Sequence, residues 1–182
     1  MRVVSGSRKG TQLKSLTGNS TRPTSDKVKE SIFNMIGPYF DGGVVVELFG
    51  GSGSLSIEAL SRGMDTAYIF EKNNKACAII KENIEKCRFT EFVHIFRNDA
   101  KHAVKTLQAS SVAIDLLFVD PPYAKTEYYN FVMEMYEAGL LNDNAIIVCE
   151  HDKQLTLPES YGPFIKEKNP VYGSSAISIY MK

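Results

Sequence analysis

Short apolar runs alternate along this chain with longer stretches in which apolar positions return every three or four residues. Val44–Leu48, Thr66–Phe70 and Ile114–Val119 are continuous runs rich in β-branched and aromatic side chains, the pattern of strands buried on both faces. Residues 92–96 and 145–149 read the same way. The intervening stretches predict helices over 55–61, closed by Gly63, over 73–87, over 100–107, and over 127–138, ended by Gly139. The helix over 73–87 carries Ala76, Ile79, Ile80, Asn83 and Ile84 along one side. Upstream, Thr24 or Ser25 caps a helix running to about Ile36, with Val28, Ile32, Met35 and Ile36 on one face and Gly37-Pro38 as its stop. Phe164–Lys168 and residues 176–181 read as two closing strands joined by Pro170-Val171-Tyr172-Gly173.

Repeated strand–helix order predicts an α/β fold: a seven-stranded, mostly parallel sheet with helices on both faces and an antiparallel edge contributed by the closing strand pair. The 182 residues contain no internal repeat and fit one domain, a basic N-terminal appendage over 1–22 followed by a core over 23–182. In the appendage, Arg2-Val3-Val4-Ser5 and Thr11-Gln12-Leu13 flank Gly6-Ser7-Arg8-Lys9-Gly10, which predicts a β-hairpin or loose loop with its basic side chains exposed.

Composition narrows the class. No apolar run approaches the roughly 20 residues of a membrane span, and the first residues lack a signal-peptide core, so the expected location is the cytoplasm. Cys77, Cys87 and Cys149 are an odd number without C-x-x-C spacing, which favours small buried hydrophobes over a disulfide framework or a zinc site; no metal is expected. Formal charge is zero overall, yet residues 1–40 hold seven basic side chains against two acidic ones, a net +5. Such a leader suits a polyanion held at one place, with Arg2, Arg8, Lys9, Lys14 and Arg22 as phosphate contacts and Lys125 at the rim. A solvated basic arm is the plainer alternative.

Candidate chemistry collects at the carboxyl ends of the predicted strands, where open α/β sheets bind ligands. The first strand runs into Glu47-Leu48-Phe49-Gly50-Gly51-Ser52-Gly53, a turn whose glycines let the backbone bend and approach a ligand. Gly51 and Gly53 fit the dinucleotide pattern G-x-G-x-x-G, but its third glycine is replaced by Ser56. Acidic residues follow at successive strand ends: Glu47, then Glu71-Lys72, where a carboxylate can hold ribose hydroxyls, then Asp99-Ala100, near a site for an adenine amine. Taken alone, Asp99 is as easily a helix cap. Such a pocket suits a cationic ligand such as S-adenosylmethionine better than a pyrophosphate.

The fourth strand ends in Asp120-Pro121-Pro122-Tyr123. An exocyclic base amine is a poor nucleophile because its lone pair is delocalised, and acceptors on its N–H bonds favour the pyramidal form that attacks. The Asp120 carboxylate and the Pro121 carbonyl supply two acceptors, the prolines stiffen the turn without adding N–H groups, and Tyr123 offers a stacking ring worth about 1–3 kcal/mol.

Asp120-Pro121-Pro122-Tyr123 resembles the [DNS]-P-P-[YFW] motif of S-adenosylmethionine-dependent amino methyltransferases. Arg22-Pro23-Thr24-Ser25-Asp26-Lys27-Val28-Lys29-Glu30-Ser31-Ile32-Phe33-Asn34 resembles the leading motif of the RsmD family of small-subunit ribosomal RNA guanine-N2 methyltransferases, as do the opening Met1-Arg2-Val3-Val4-Ser5-Gly6 and the closing Tyr172-Gly173. The resemblance implies the Rossmann-like class I methyltransferase fold and methylation of a guanine N2 amine in 16S ribosomal RNA, expected within a small-subunit particle; the small self-contained domain suggests a monomer. It further implies S-adenosylhomocysteine as product, Thr24 near the cofactor's methionine end, Glu71 on the ribose and Asp99 with Ala100 on the adenine. Glu47 stands where Asp is more usual and Gly50 where Ala is frequent.

Other readings stay open. The same chemistry can act on adenine N6, cytosine N4 or a protein glutamine. DNA enzymes of this type usually carry a recognition domain, for which the length between Gly53 and Asp120 leaves no room, and glutamine enzymes commonly have Asn at the position of Asp120. A dehydrogenase would want the third glycine. A noncatalytic RNA-binding assembly factor would keep the pocket without turnover. His94, His102 and His151 receive no catalytic role, and no proton acceptor stands out.

Overall fold

The computed structural model describes residues 1–16, 24–122 and 126–182, so Arg22, Tyr123 and Lys125 lie outside the described residues. The elements in chain order are α1 (Asp26–Ile36), β1 (Val44–Leu48), α2 (Ser54–Ser61), β2 (Thr66–Phe70), α3 (Asn74–Lys86), β3 (Val93–Phe96), α4 (Ala103–Ala109), β4 (Ile114–Val119), α5 (Phe131–Glu137), β5 (Leu141–Asp152), β6 (Ser160–Tyr161), β7 (Phe164–Lys168), β8 (Val171–Tyr172) and β9 (Ser175–Met181). Short 3₁₀ turns over Ala100–His102 and Thr126–Asn130 replace the first turns expected of the helices there.

One sheet joins the strands in the order β3-β2-β1-β4-β5-β9-β7-β6, with β8 paired to β9 on the side. Strands β1 to β5 pair in parallel and β9 runs antiparallel to both β5 and β7. This corrects the expected count of seven: among the described residues the sheet has nine strands, because the two-residue strands β6 and β8 are too short to leave an alternation in the sequence. It also moves the last strand inward. Ala176 to Tyr180 are buried on both faces, so β9 lies between β5 and β7, whereas the polar β7 and its partner β6 take the rim.

Alternation along the strands splits the core in two. Val45, Ala67, Ile69, Leu116, Phe118, Val148, Ile177 and Ile179 face α1, α2 and α3, together with Val3 and Leu13 of the N-terminal loop. Val46, Leu48, Phe70, Leu117, Val119, Ile147 and Cys149 face α4 and α5. The central strands β1 and β4 are therefore buried on both sides, as their continuous apolar runs demand, whereas β3 at the sheet edge is only partly covered.

The N-terminal loop closes by an antiparallel bridge between Arg2 and Gln12, with Val3 N–H donating to the Thr11 carbonyl at 2.9 Å. It is docked on the helices, not loose. Val4 and Ser5 donate their N–H groups to the buried Glu58 carboxylate at 2.9 and 3.1 Å. Glu58 also pairs with Lys29 at 3.3 Å and Arg62 at 2.8 Å, and all three side chains are essentially inaccessible. Asn83 on α3 completes the attachment, accepting from Lys14 N–H and donating to the Lys14 and Ser52 carbonyls.

Candidate functional site

In-register parallel pairing decides which residues meet at the carboxyl edge of the sheet. Leu48 lies beside Phe70 and Val119, and Val119 beside Cys149, so the residues that follow each of them emerge at one level. Those residues are the Phe49-Gly50 turn, Glu71, Asp120 and Glu150. The period of two adds a second coincidence: Glu47, Glu71, Asp120 and Glu150 continue the alternation of Val45, Ile69, Phe118 and Val148, placing four acids on the α1–α3 side.

The glycine turn is shaped by contacts on both sides. Gly53 takes φ +77 as the cap of α2 and has no side chain to satisfy the helix's first N–H groups. Glu47 supplies that function from the strand, accepting from Ser56 N–H at 3.2 Å and Ser56 Oγ at 2.6 Å. Burial raises the Glu47 carboxyl to about 7, with the neighbouring Glu71 adding to the rise. Glu47 thus lies beneath the turn as its support. A Cβ on Gly50 would come within 2.4 Å of Ile69 Cγ2, so Ala at this position requires Ile69 to shift.

Glu71 spans the outer edge of the turn. Its Oε1 accepts from Gly51 N–H at 3.0 Å and its Oε2 from Asn73 N–H at 2.9 Å. Gly51 itself faces open space, leaving bare backbone beside a carboxylate. That carboxylate acceptor fits a ligand carrying vicinal hydroxyls. Lys72 is exposed. Asp99 caps the following 3₁₀ turn by accepting from Lys101 N–H at 3.1 Å, and Ala100 is buried behind it. Phe49, at φ +65, turns its ring toward Tyr128 (5.3 Å) and Phe131 (6.5 Å), an aromatic wall that periodicity had assigned only to a helix.

Asp120 is half-buried at the end of β4, followed by a buried Pro121 and an exposed Pro122. Its carboxyl is hydrogen-bonded to that of Glu150 on β5. Thr24 Oγ1 donates to Glu150 Oε2 at 3.2 Å, and Tyr129 Oη donates to the Glu150 backbone carbonyl at 2.6 Å. Burial and the Glu150 carboxyl hold Asp120 well above the usual carboxylate range, with Glu47 contributing further. Burial also raises Glu150, against the lowering effect of its donors Asp120 and Thr24. The Thr24 contact ties the start of α1, capped by Ser25, to the strand end. Glu150 escaped the sequence reading. The rule that found Glu47, Glu71 and Asp120, an acid at a strand's carboxyl end, applies equally to Cys149-Glu150.

The basic residues have uneven surroundings. Arg2 lies near Asp26 at 3.9 Å and Lys14 pairs with Glu82 at 2.6 Å. Arg8 lays its guanidinium over Phe89 at 4.8 Å and donates Nε to the Cys87 carbonyl at 2.6 Å. Lys9, at the loop tip, is exposed. Lys29, counted with the leader's charge, is buried in the Glu58 cluster, and burial lowers its ammonium. Among the described residues no group of His, Cys, Asp and Glu is arranged to hold a metal, and no helix is long and apolar enough to cross a membrane.

Residues 1–181 match the family described as Conserved hypothetical protein 95. The chain belongs to this family. It is the family of the ribosomal RNA small subunit methyltransferase D proteins, the RsmD family. A Bacillus subtilis relative provisionally named as the rRNA methyltransferase YlbH is 43% identical over 182 residues, covering 100% of this chain and 99% of the relative. The Ribosomal RNA small subunit methyltransferase D of Haemophilus influenzae is 31% identical over 172 residues, covering 92% and 88% respectively. Among solved structures, an RNA methyltransferase of Salinibacter ruber in complex with S-adenosyl-L-homocysteine superposes with a TM-score of 0.65 at 12% identity, over 88% of this chain and 93% of that one. The fold is the class I methyltransferase fold.

Proposed function

We propose that this protein is an S-adenosylmethionine-dependent ribosomal RNA methyltransferase whose acceptor is the N2 amine of a guanine in 16S RNA. The observation that carries the reading is the placement of Asp120, at the carboxyl edge of the central strands, beside a glycine turn whose Gly51 N–H donates to Glu71. Family membership and the relatives' names support RNA of the small subunit as substrate. The choice of guanine N2 rests on the resemblance of the Arg22–Asn34 block and on Asp at position 120.

In this reading Glu71 holds the cofactor's ribose hydroxyls, the Gly50–Gly53 backbone packs against it, Asp99 and Ala100 border its adenine, and Thr24 lies toward its methionine end. The cofactor supplies a methyl group activated by a sulfonium. Asp120 and the Pro121 carbonyl accept the two N–H bonds of the target amine, keeping its lone pair available and stabilising the positive charge that develops on nitrogen. Tyr123 stacks on the base, which must leave its own stack to reach the clamp.

The deciding experiment is mass mapping of the nucleoside formed when the protein and cofactor treat undermethylated small subunits. N2-methylguanine is the expected product; N6-methyladenine, or methyl transfer to a protein glutamine, would overturn the substrate assignment.

RNA contact by the leader is tested best at Lys9. Arg8 also packs on Phe89, so its removal mixes charge loss with altered packing. Lys9→Ala is expected to weaken RNA binding at low salt and to reduce the slope of log affinity against log salt by about 1. An unchanged slope across a salt series would remove Lys9 from the RNA interface.

A further inference from the structure

We propose that Glu150 is a positioning residue for the methyl-accepting site: it exchanges a shared proton with Asp120 and thereby sets when the Asp120 carboxyl is charged and where it points. The proposal rests on the reading of Asp120 as acceptor of the target amine. Its basis is geometric. Val119 and Cys149 are register partners in adjacent parallel strands, so the residues that follow them are neighbours, and the alternation turns both toward α1. A narrow recess there is lined by Ile32, Leu55, Phe118, Val148 and Ile177 around the two carboxyls. In an apolar recess two carboxylates cannot both hold a full charge, so one proton is retained between them.

The described groups around the pair show where that proton rests. Thr24 donates its hydroxyl to Glu150 Oε2, and Tyr129 fixes the Glu150 backbone through its carbonyl. From β1, Glu47 adds negative charge on the Asp120 side. His151 points away, with Nε2 on Ser178 Oγ at 2.7 Å. Glu150 therefore bears the charge, stabilised by two donors, and Asp120 keeps the proton and donates it to Glu150. An Asp120 that is protonated cannot receive both the substrate and a new proton. When the amine docks, the proton crosses from the Asp120 oxygen to the Glu150 oxygen. The O–H bond on Asp120 breaks as that on Glu150 forms, no other reactant takes part, and Asp120 becomes the anionic acceptor. The proton later lost by the methylated amine goes to Asp120, and one proton then leaves the pair for water.

Two measurements test this. In the wild-type protein without substrate, carboxyl-carbon NMR should show Asp120 and Glu150 titrating as a pair in two steps more than about one pH unit apart. Two independent, ordinary titrations would overturn the proposal. In Glu150→Gln the amide keeps an acceptor for Thr24 but cannot take the proton, so the buried Asp120 must release it to water before it accepts the amine. The acidic limb of single-turnover methyl transfer should then move up by about one pH unit or more. A limb identical to that of the wild type would overturn the proposal. Asp120→Asn separates this from the parent reading: full methyl transfer by that variant removes the clamp itself, whereas an inactive Asp120→Asn with an unpaired wild-type titration removes only the role of Glu150.

Discussion

Asp120→Ala is expected to lower single-turnover methyl transfer by roughly 10²-fold or more, the scale of losing one preorganised group that meets charge in a transition state. Affinity for S-adenosylhomocysteine should stay within about threefold, because an interaction made with the reacting amine contributes to the rate and not to cofactor binding. The geometry motivates the separation. Asp120 follows β4, while Glu71, which accepts from the Gly51 N–H, follows β2 on the far side of β1. Isothermal titration beside rapid-quench methyl transfer measures both quantities on one preparation. Parallel losses in rate and affinity would place Asp120 in the cofactor pocket instead.

The second large effect concerns stability. Glu58→Ala is expected to cost about 3–5 kcal/mol, the usual penalty for breaking a buried ion pair by removing one partner. Glu58 is fully buried and gathers four donors: the N–H groups of Val4 and Ser5, the Lys29 ammonium and the Arg62 guanidinium. Lys29 holds the Arg2 carbonyl at 2.7 Å and Ser54 Oγ at 3.0 Å as well, so the same cluster fastens the N-terminal loop to α1 and α2. For a chain of this size the melting temperature should fall by roughly 6–20 °C. Hydrogen exchange at the Val4 and Ser5 amides should accelerate beyond the global change. A loss below about 1 kcal/mol would show that the cluster relaxes to other partners or to water.

The two effects lie on opposite sides of what a sequence pattern can carry. Burial on both faces leaves a continuous apolar run, which is why Val44–Leu48, Thr66–Phe70 and Ile114–Val119 have the bounds that periodicity predicts. Two-residue strands such as β6 and β8 span less than a full alternation and leave no such trace. Charge is harder still. Lys29 and Arg8 look like solvent-facing cations in a basic leader, yet one is buried against Glu58 and the other is stacked on Phe89. A charge is read from one residue, but its burial depends on a partner 29 positions away in the first case and 81 in the second.

The sequence by itself determined the strand–helix alternation, the glycine turn and the Asp120-Pro121-Pro122-Tyr123 motif, because each is set by neighbours a few residues apart. Only the tertiary structure decided that β9 enters between β5 and β7, that Glu47 supports α2 from beneath the turn, and that Thr24, Asp120 and Glu150 meet. Those contacts join segments up to 126 positions apart, and they follow from strand register and from which faces must be buried. A clamp read as one carboxylate is, in three dimensions, a carboxyl pair.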